Sequence, residues 1–131
     1  MEVLGGGRMG FTREKITIVG PLKSRELTAL FDSGAYRSYV RTDIGDDIGY
    51  NTYEGERNVI LANSTITRGS KVRFESLSVR GLQVHDPEAI LLDELTDEAI
   101  VGVKVMQELG ISVSPPREQI EFSDERRRPS S

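Results

Sequence analysis

Cysteine is absent from the 131 residues, which removes disulfides, thiolate nucleophiles and cysteine-ligated zinc. Histidine occurs once, at His85, so one chain cannot build a multi-histidine metal site. Tryptophan is missing, and the four Tyr and four Phe form no stacking cluster for bases. Basic charge is in deficit: 17 Lys+Arg against 21 Asp+Glu leave a net charge of −4. A nucleic-acid partner is therefore not expected, since such proteins need a basic face to displace counterions from phosphates. No apolar run approaches the roughly 18–20 residues of a membrane span, and the first residues lack a signal-peptide core. A soluble, cytoplasmic protein with no membrane partner is the expectation. What is present, 37% hydrophobic and 29% charged residues, is globular composition at single-domain length.

Residues 1–10 hold three consecutive glycines and little to bury, and read as a flexible arm with at most an edge strand at residues 2–4. Gly5, Gly7 and Gly10 match the spacing of a dinucleotide fingerprint, yet no strand precedes them and no helix pattern follows. From Lys15 the pattern is β: residues 16–19 and 25–31 read as a hairpin about Gly20-Pro21, with Leu27, Ala29 and Phe31 on one face. A further strand is expected over residues 35–40, and an acidic, glycine-broken loop over residues 43–49. Residues 58–62 and 70–74 read as a longer hairpin with a polar tip at residues 63–69, and a change of phase predicts a bulge or bend at Ser76. Residues 89–92 and 99–102 are short apolar runs. Residues 103–109 then follow helical spacing closed by Gly110, and residues 111–113 and 119–122 read as terminal strands before a charged tail, 124–131. The sum is an all-β barrel or sandwich over residues 11–123 with one short helix late in the chain.

Leu30-Phe31-Asp32 carries a carboxylate from an apolar strand into the turn Asp32-Ser33-Gly34. Ionised carboxylates are rarely buried without partners, so this placement asks for a reason beyond turn propensity. Ala35 follows, then a hairpin, then Ile100-Val101-Gly102 leading into a helix. In this order the features resemble the retroviral-type (retropepsin-like) aspartic proteases, whose members share D-[ST]-G-A, a flap hairpin, an apolar-apolar-glycine turn and a short helix. The resemblance implies an acid-protease barrel, aspartic endopeptidase activity on extended polypeptide, and no metal or cofactor. Only one D-[ST]-G occurs. Since carboxylate-catalysed peptide hydrolysis uses two carboxylates sharing a proton, one chain holds half a site and a homodimer is expected.

By the same resemblance Asp32 is the catalytic acid and base, and Ser33, Gly34 and Ala35 complete the active-site loop. Leu30, Tyr36, the flap residues Asn63, Ser64, Thr65 and Ile66, and Ile100 are the expected substrate contacts. Val101 and Gly102 form the supporting turn. Two departures stand out. Retroviral enzymes often carry Asp after D-[ST]-G-A and Arg after the glycine turn; here Tyr36 and Val103 occupy those places, so that ion pair is lost. The alternative reading is a peptide-binding or dimerisation module of the same fold that does not cut, although two facing carboxylates would be a costly feature to keep in one. His85 beside Asp86 lacks a nucleophile elbow and reads as a surface histidine in a loop. Asp43, Asp46 and Asp47 lack calcium-loop spacing, and Arg126, Arg127 and Arg128 beside Asp124 and Glu125 read as a solubilising tail.

Overall fold

The computed structural model describes residues 11–61, 63–114 and 119–122. The N-terminal arm with its glycine triplet and the charged tail expected from sequence lie outside these residues. Eleven strands and two helices follow in the order β1 (Phe11–Val19), β2 (Ser24–Asp32), β3 (Tyr39–Arg41), α1 (Thr42–Ile48), β4 (Thr52–Ile60), β5 (Ile66–Arg73), β6 (Ser76–Val79), β7 (Leu82–His85), β8 (Glu88–Leu92), β9 (Ala99–Val101), α2 (Val103–Leu109), β10 (Ile111–Ser114) and β11 (Gln119–Phe122). Nine strands make one sheet in the order β4-β5-β8-β3-β9-β2-β1-β6-β7, and β10 pairs with β11. The all-β class holds, as do the β1–β2 hairpin and α2, which Gly110 ends in a left-handed conformation.

Alternation along the central strands explains how the sheet is buried on both faces. Leu27, Ala29 and Phe31 of β2, Val40 of β3, Ala89 and Leu91 of β8, and Ala99 and Val101 of β9 share one core. The residues between them, Leu30, Tyr39, Ile90, Leu92 and Ile100, enter a second core with Ala35, Val59 and Leu95. Register aligns part of that second set in a row: Leu30 lies opposite Ile100, Ile100 opposite Tyr39, and Tyr39 opposite Ile90.

Several sequence expectations are corrected. Residues 43–49 are not a loop: α1 occupies Thr42–Ile48 and buries Ile44, Gly45 and Ile48. Gly45, which weakened the helical pattern, lets the helix approach β8 closely, because a Cβ there would come within 2.5 Å of Leu91 Cδ2 and displace that side chain. The third strand starts at Tyr39 rather than residue 35, because the chain must first cross over β9. The long hairpin starts earlier and its tip is tighter than expected, with Ile66 already in β5 and Leu61 N–H donating to Thr65 O at 2.8 Å. Of the bulge or bend expected at Ser76 the structure has the bend, at Glu75 just before it. The chain leaves β5 at Arg73 and starts β6, which pairs with β1 on the other side of the sheet. His85 ends β7 instead of lying in a loop, although it is exposed. The β6–β7 hairpin turns at Arg80 and Gly81, both at positive φ (50° and 82°), as a tight two-residue hairpin connection requires.

Candidate active site

β2 and β3 are consecutive in the chain, yet β9 lies between them, parallel to β2 and antiparallel to β3. The connection at residues 33–38 therefore passes over the end of β9, where Gly102 follows Val101. That crossing fixes the loop by backbone contacts. α2 leaves its first N–H groups without partners inside the helix, and the loop supplies them. Val103 N–H donates to Ala35 O at 2.8 Å and Lys104 N–H to Tyr36 O at 3.0 Å. Gly102 N–H donates to the buried Ser38 Oγ at 3.0 Å. A side chain at Gly102 has no room, because its Cβ would lie 2.2 Å from Arg37 O and 2.7 Å from Tyr36 O. This is the physical reason for glycine after the apolar pair.

Asp32 ends β2 with a relative exposure of 2%. Its Oδ1 accepts a hydrogen bond from Gly34 N–H at 2.8 Å, and its carbonyl accepts one from Ala35 N–H at 3.1 Å. The carboxylate is thus held by the loop it begins, with Ser33 and Gly34 exposed and Ala35 fully buried beneath. Tyr36 stands outward at 52% exposure. Leu30 and Ile100 sit side by side in the buried row under the loop, covered rather than open. At the far hairpin, Asn63 Oδ1 accepts Thr65 N–H at 3.0 Å, Ser64 adopts a positive φ of 69°, and Ile66 is 60% exposed. The structure therefore joins Asp32, the loop and the glycine turn by direct bonds, and the Asn63–Thr65 bond of the hairpin tip is local to it.

Sequence reasoning missed the charge cluster beside this loop. Glu88, at the start of β8, is nearly buried and meets four cations: Arg37 at 2.6 Å, Lys71 at 2.9 Å, Arg73 at 3.5 Å and Lys104 at 3.7 Å. Burial pushes its carboxyl up, but the Lys71 hydrogen bond and the charges of Lys104, Lys71 and Arg37 outweigh that and hold it below the usual carboxylate range. Arg37 follows Tyr36, and Lys104 follows Val103. The ion pair missing from the two expected positions is replaced one residue further along each segment, with Glu88 as the shared anion. Glu54, on β4, is also held low, first by its hydrogen bond to Arg73. Among the described residues no His, Cys, Asp and Glu group is arranged to hold a metal ion, and no helix is long and apolar enough to cross a membrane.

The aspartyl protease family model matches residues 15–120. The chain belongs to the aspartyl protease family. Among solved structures it is similar to a retropepsin-like aspartic protease from Rickettsia conorii, with a TM-score of 0.56 and 12% identity over 78% of this chain and 75% of that one. At that identity the likeness is one of fold, and the fold is retropepsin-like. Among curated proteins no sequence matches.

Proposed function

We propose that the chain is an aspartic endopeptidase that acts as a homodimer, each subunit contributing Asp32. The observation that carries this is the buried Asp32 carboxylate, aimed into a loop that the glycine turn holds rigid. Across a two-fold axis two such carboxylates share one proton, because like charges a few ångströms apart do not both ionise. The ionised partner takes a proton from water as its oxygen attacks the scissile carbonyl carbon. The other gives its proton to the carbonyl oxygen. The tetrahedral intermediate then collapses as the amide nitrogen is protonated and leaves. No metal or cofactor takes part in these steps.

In this reading Ser33 braces the two loops against each other, and Gly34 presents its carbonyl to the substrate backbone. Tyr36, Asn63, Ser64, Thr65 and Ile66 touch the extended peptide as the β4–β5 hairpin closes as a flap, and Leu30 and Ile100 underlie the pocket beside the scissile bond. Ala35 has no hydroxyl to stabilise an ionised carboxylate, so the optimum lies in the weakly acid to neutral range. The test is cleavage of an unstructured casein-like substrate by wild type and Asp32→Asn, from acid to neutral pH, with and without a statine-type inhibitor. Cleavage that is blocked by the inhibitor and lost in the mutant is expected. Cleavage surviving the mutation removes Asp32 from the mechanism, and binding without cleavage makes the protein a peptide-holding module.

A further inference from the structure

Between the β4–β5 hairpin and the active-site loop lies a cleft of about 320 Å³, lined by Tyr36 and Arg37 of the loop, Arg57 and Val59 of β4, Tyr39 and Ile90 among others. Two arginines line it and no acidic residue does. Arg37 is committed to Glu88 at 2.6 Å. Arg57 differs from every other arginine with a described side chain. Arg13, Arg25, Arg37, Arg41, Arg68, Arg73 and Arg80 each form an ion pair with an Asp or Glu. Arg57 instead gives one hydrogen bond, to the neutral carbonyl of Glu56 at 2.8 Å, and has no carboxylate in ion-pair range among the described residues.

Its placement is fixed by the strand. Arg57 is two residues from the buried Val59, and so lies on the face of β4 that turns toward the second core. Opposite it in the ladder is Gly69, which has no side chain to crowd or pair with it. Arg57 is partly buried as a residue, and its guanidinium has no counter-ion among the described residues; a carboxylate from outside would supply one by paired N–H···O bonds. Val59, Tyr39 and Ile90 give the cleft an apolar floor for the methylene stem of such a side chain.

We propose that this cleft is a substrate subsite for an aspartate or glutamate side chain, with Arg57 as its counter-ion. The inference rests on the endopeptidase reading above and narrows its substrate class to peptides with an acidic residue at one fixed place near the cut. The test uses short, otherwise identical Leu- and Ala-based peptides in which Glu, Gln or Lys is walked through each position. Binding is measured by fluorescence anisotropy on Asp32→Asn protein, and cleavage on wild type. At one position Glu is expected to bind and be cut about three- to tenfold better than Gln, an advantage that falls with salt. Arg57→Gln abolishes the preference, and Arg57→Glu turns it toward Lys, which a merely structural role for Arg57 would not do. Equal binding of Glu and Gln at every position, or a Glu preference that persists in both Arg57 variants, overturns the inference. A Glu preference in binding without Asp32-dependent cleavage supports the subsite and strikes the endopeptidase reading alone.

Discussion

At the scale of single residues, the site depends on a few short-range bonds around one buried carboxylate. Asp32 was legible from sequence because its signal is local: an apolar strand ending in Asp-Ser-Gly. Ser38, Arg37 and Glu88 were not, because their partners are far along the chain. Ser38 meets Gly102 across 64 positions, and Arg37 meets Glu88 across 51. Ser38→Ala leaves the Gly102 N–H buried without an acceptor, so a loss of about 1–3 kcal/mol is expected as a lower urea midpoint. Ala35 is packed on all sides, so the smaller Ala35→Ser is the better probe of the missing hydroxyl than threonine. A shift of the acid limb of the cleavage profile to lower pH is expected in this variant, and an unmoved limb would count against a carboxylate-directed role for position 35.

At the scale of elements, the lesson is how tertiary contacts overrule local composition. α1 contains a glycine, two isoleucines and three aspartates, poor helix formers, but Ile44 and Ile48 are one turn apart and Gly45 lets the helix close on β8. That spacing was the available signal. Glu88 of β8 then joins three further elements at one point: Arg37 of the loop, Lys71 and Arg73 of β5, and Lys104 of α2. Glu88→Gln keeps the shape and removes the charge, leaving the cations to repel one another. A loss of about 1–3 kcal/mol is expected at neutral pH, less than for a fully buried pair because the cations are partly exposed. The pH dependence follows from the lowered carboxyl of Glu88. Its contribution is full above the ordinary carboxylate value and is lost as pH falls through the depressed folded value. The Tm difference between wild type and Glu88→Gln should therefore close in acid, while Glu54 titrates in both proteins and cancels. A gap independent of pH would mean that the packing of Glu88 matters and its charge does not.

At the scale of the whole molecule, the strand order positions the chemistry. Placing β9 between β2 and β3 forces the loop after Asp32 to cross the glycine turn, and the bonds that anchor this loop to Gly102 and α2 follow from that crossing, while Gly34 N–H within the loop holds the carboxylate. Sequence order showed the motifs in succession but not this insertion, since parallel pairing of β2 with β9 joins segments 70 residues apart, as Ala29 opposite Ala99 illustrates. One chain ends with one such carboxylate. Mixing wild-type and Asp32→Asn subunits, with exchange allowed to reach equilibrium, measures directly whether two are required. If each active centre takes one Asp32 from each of two subunits, cleavage per total protein falls as the square of the wild-type fraction. A linear fall would show that a single chain is sufficient, and would contradict the shared-proton centre.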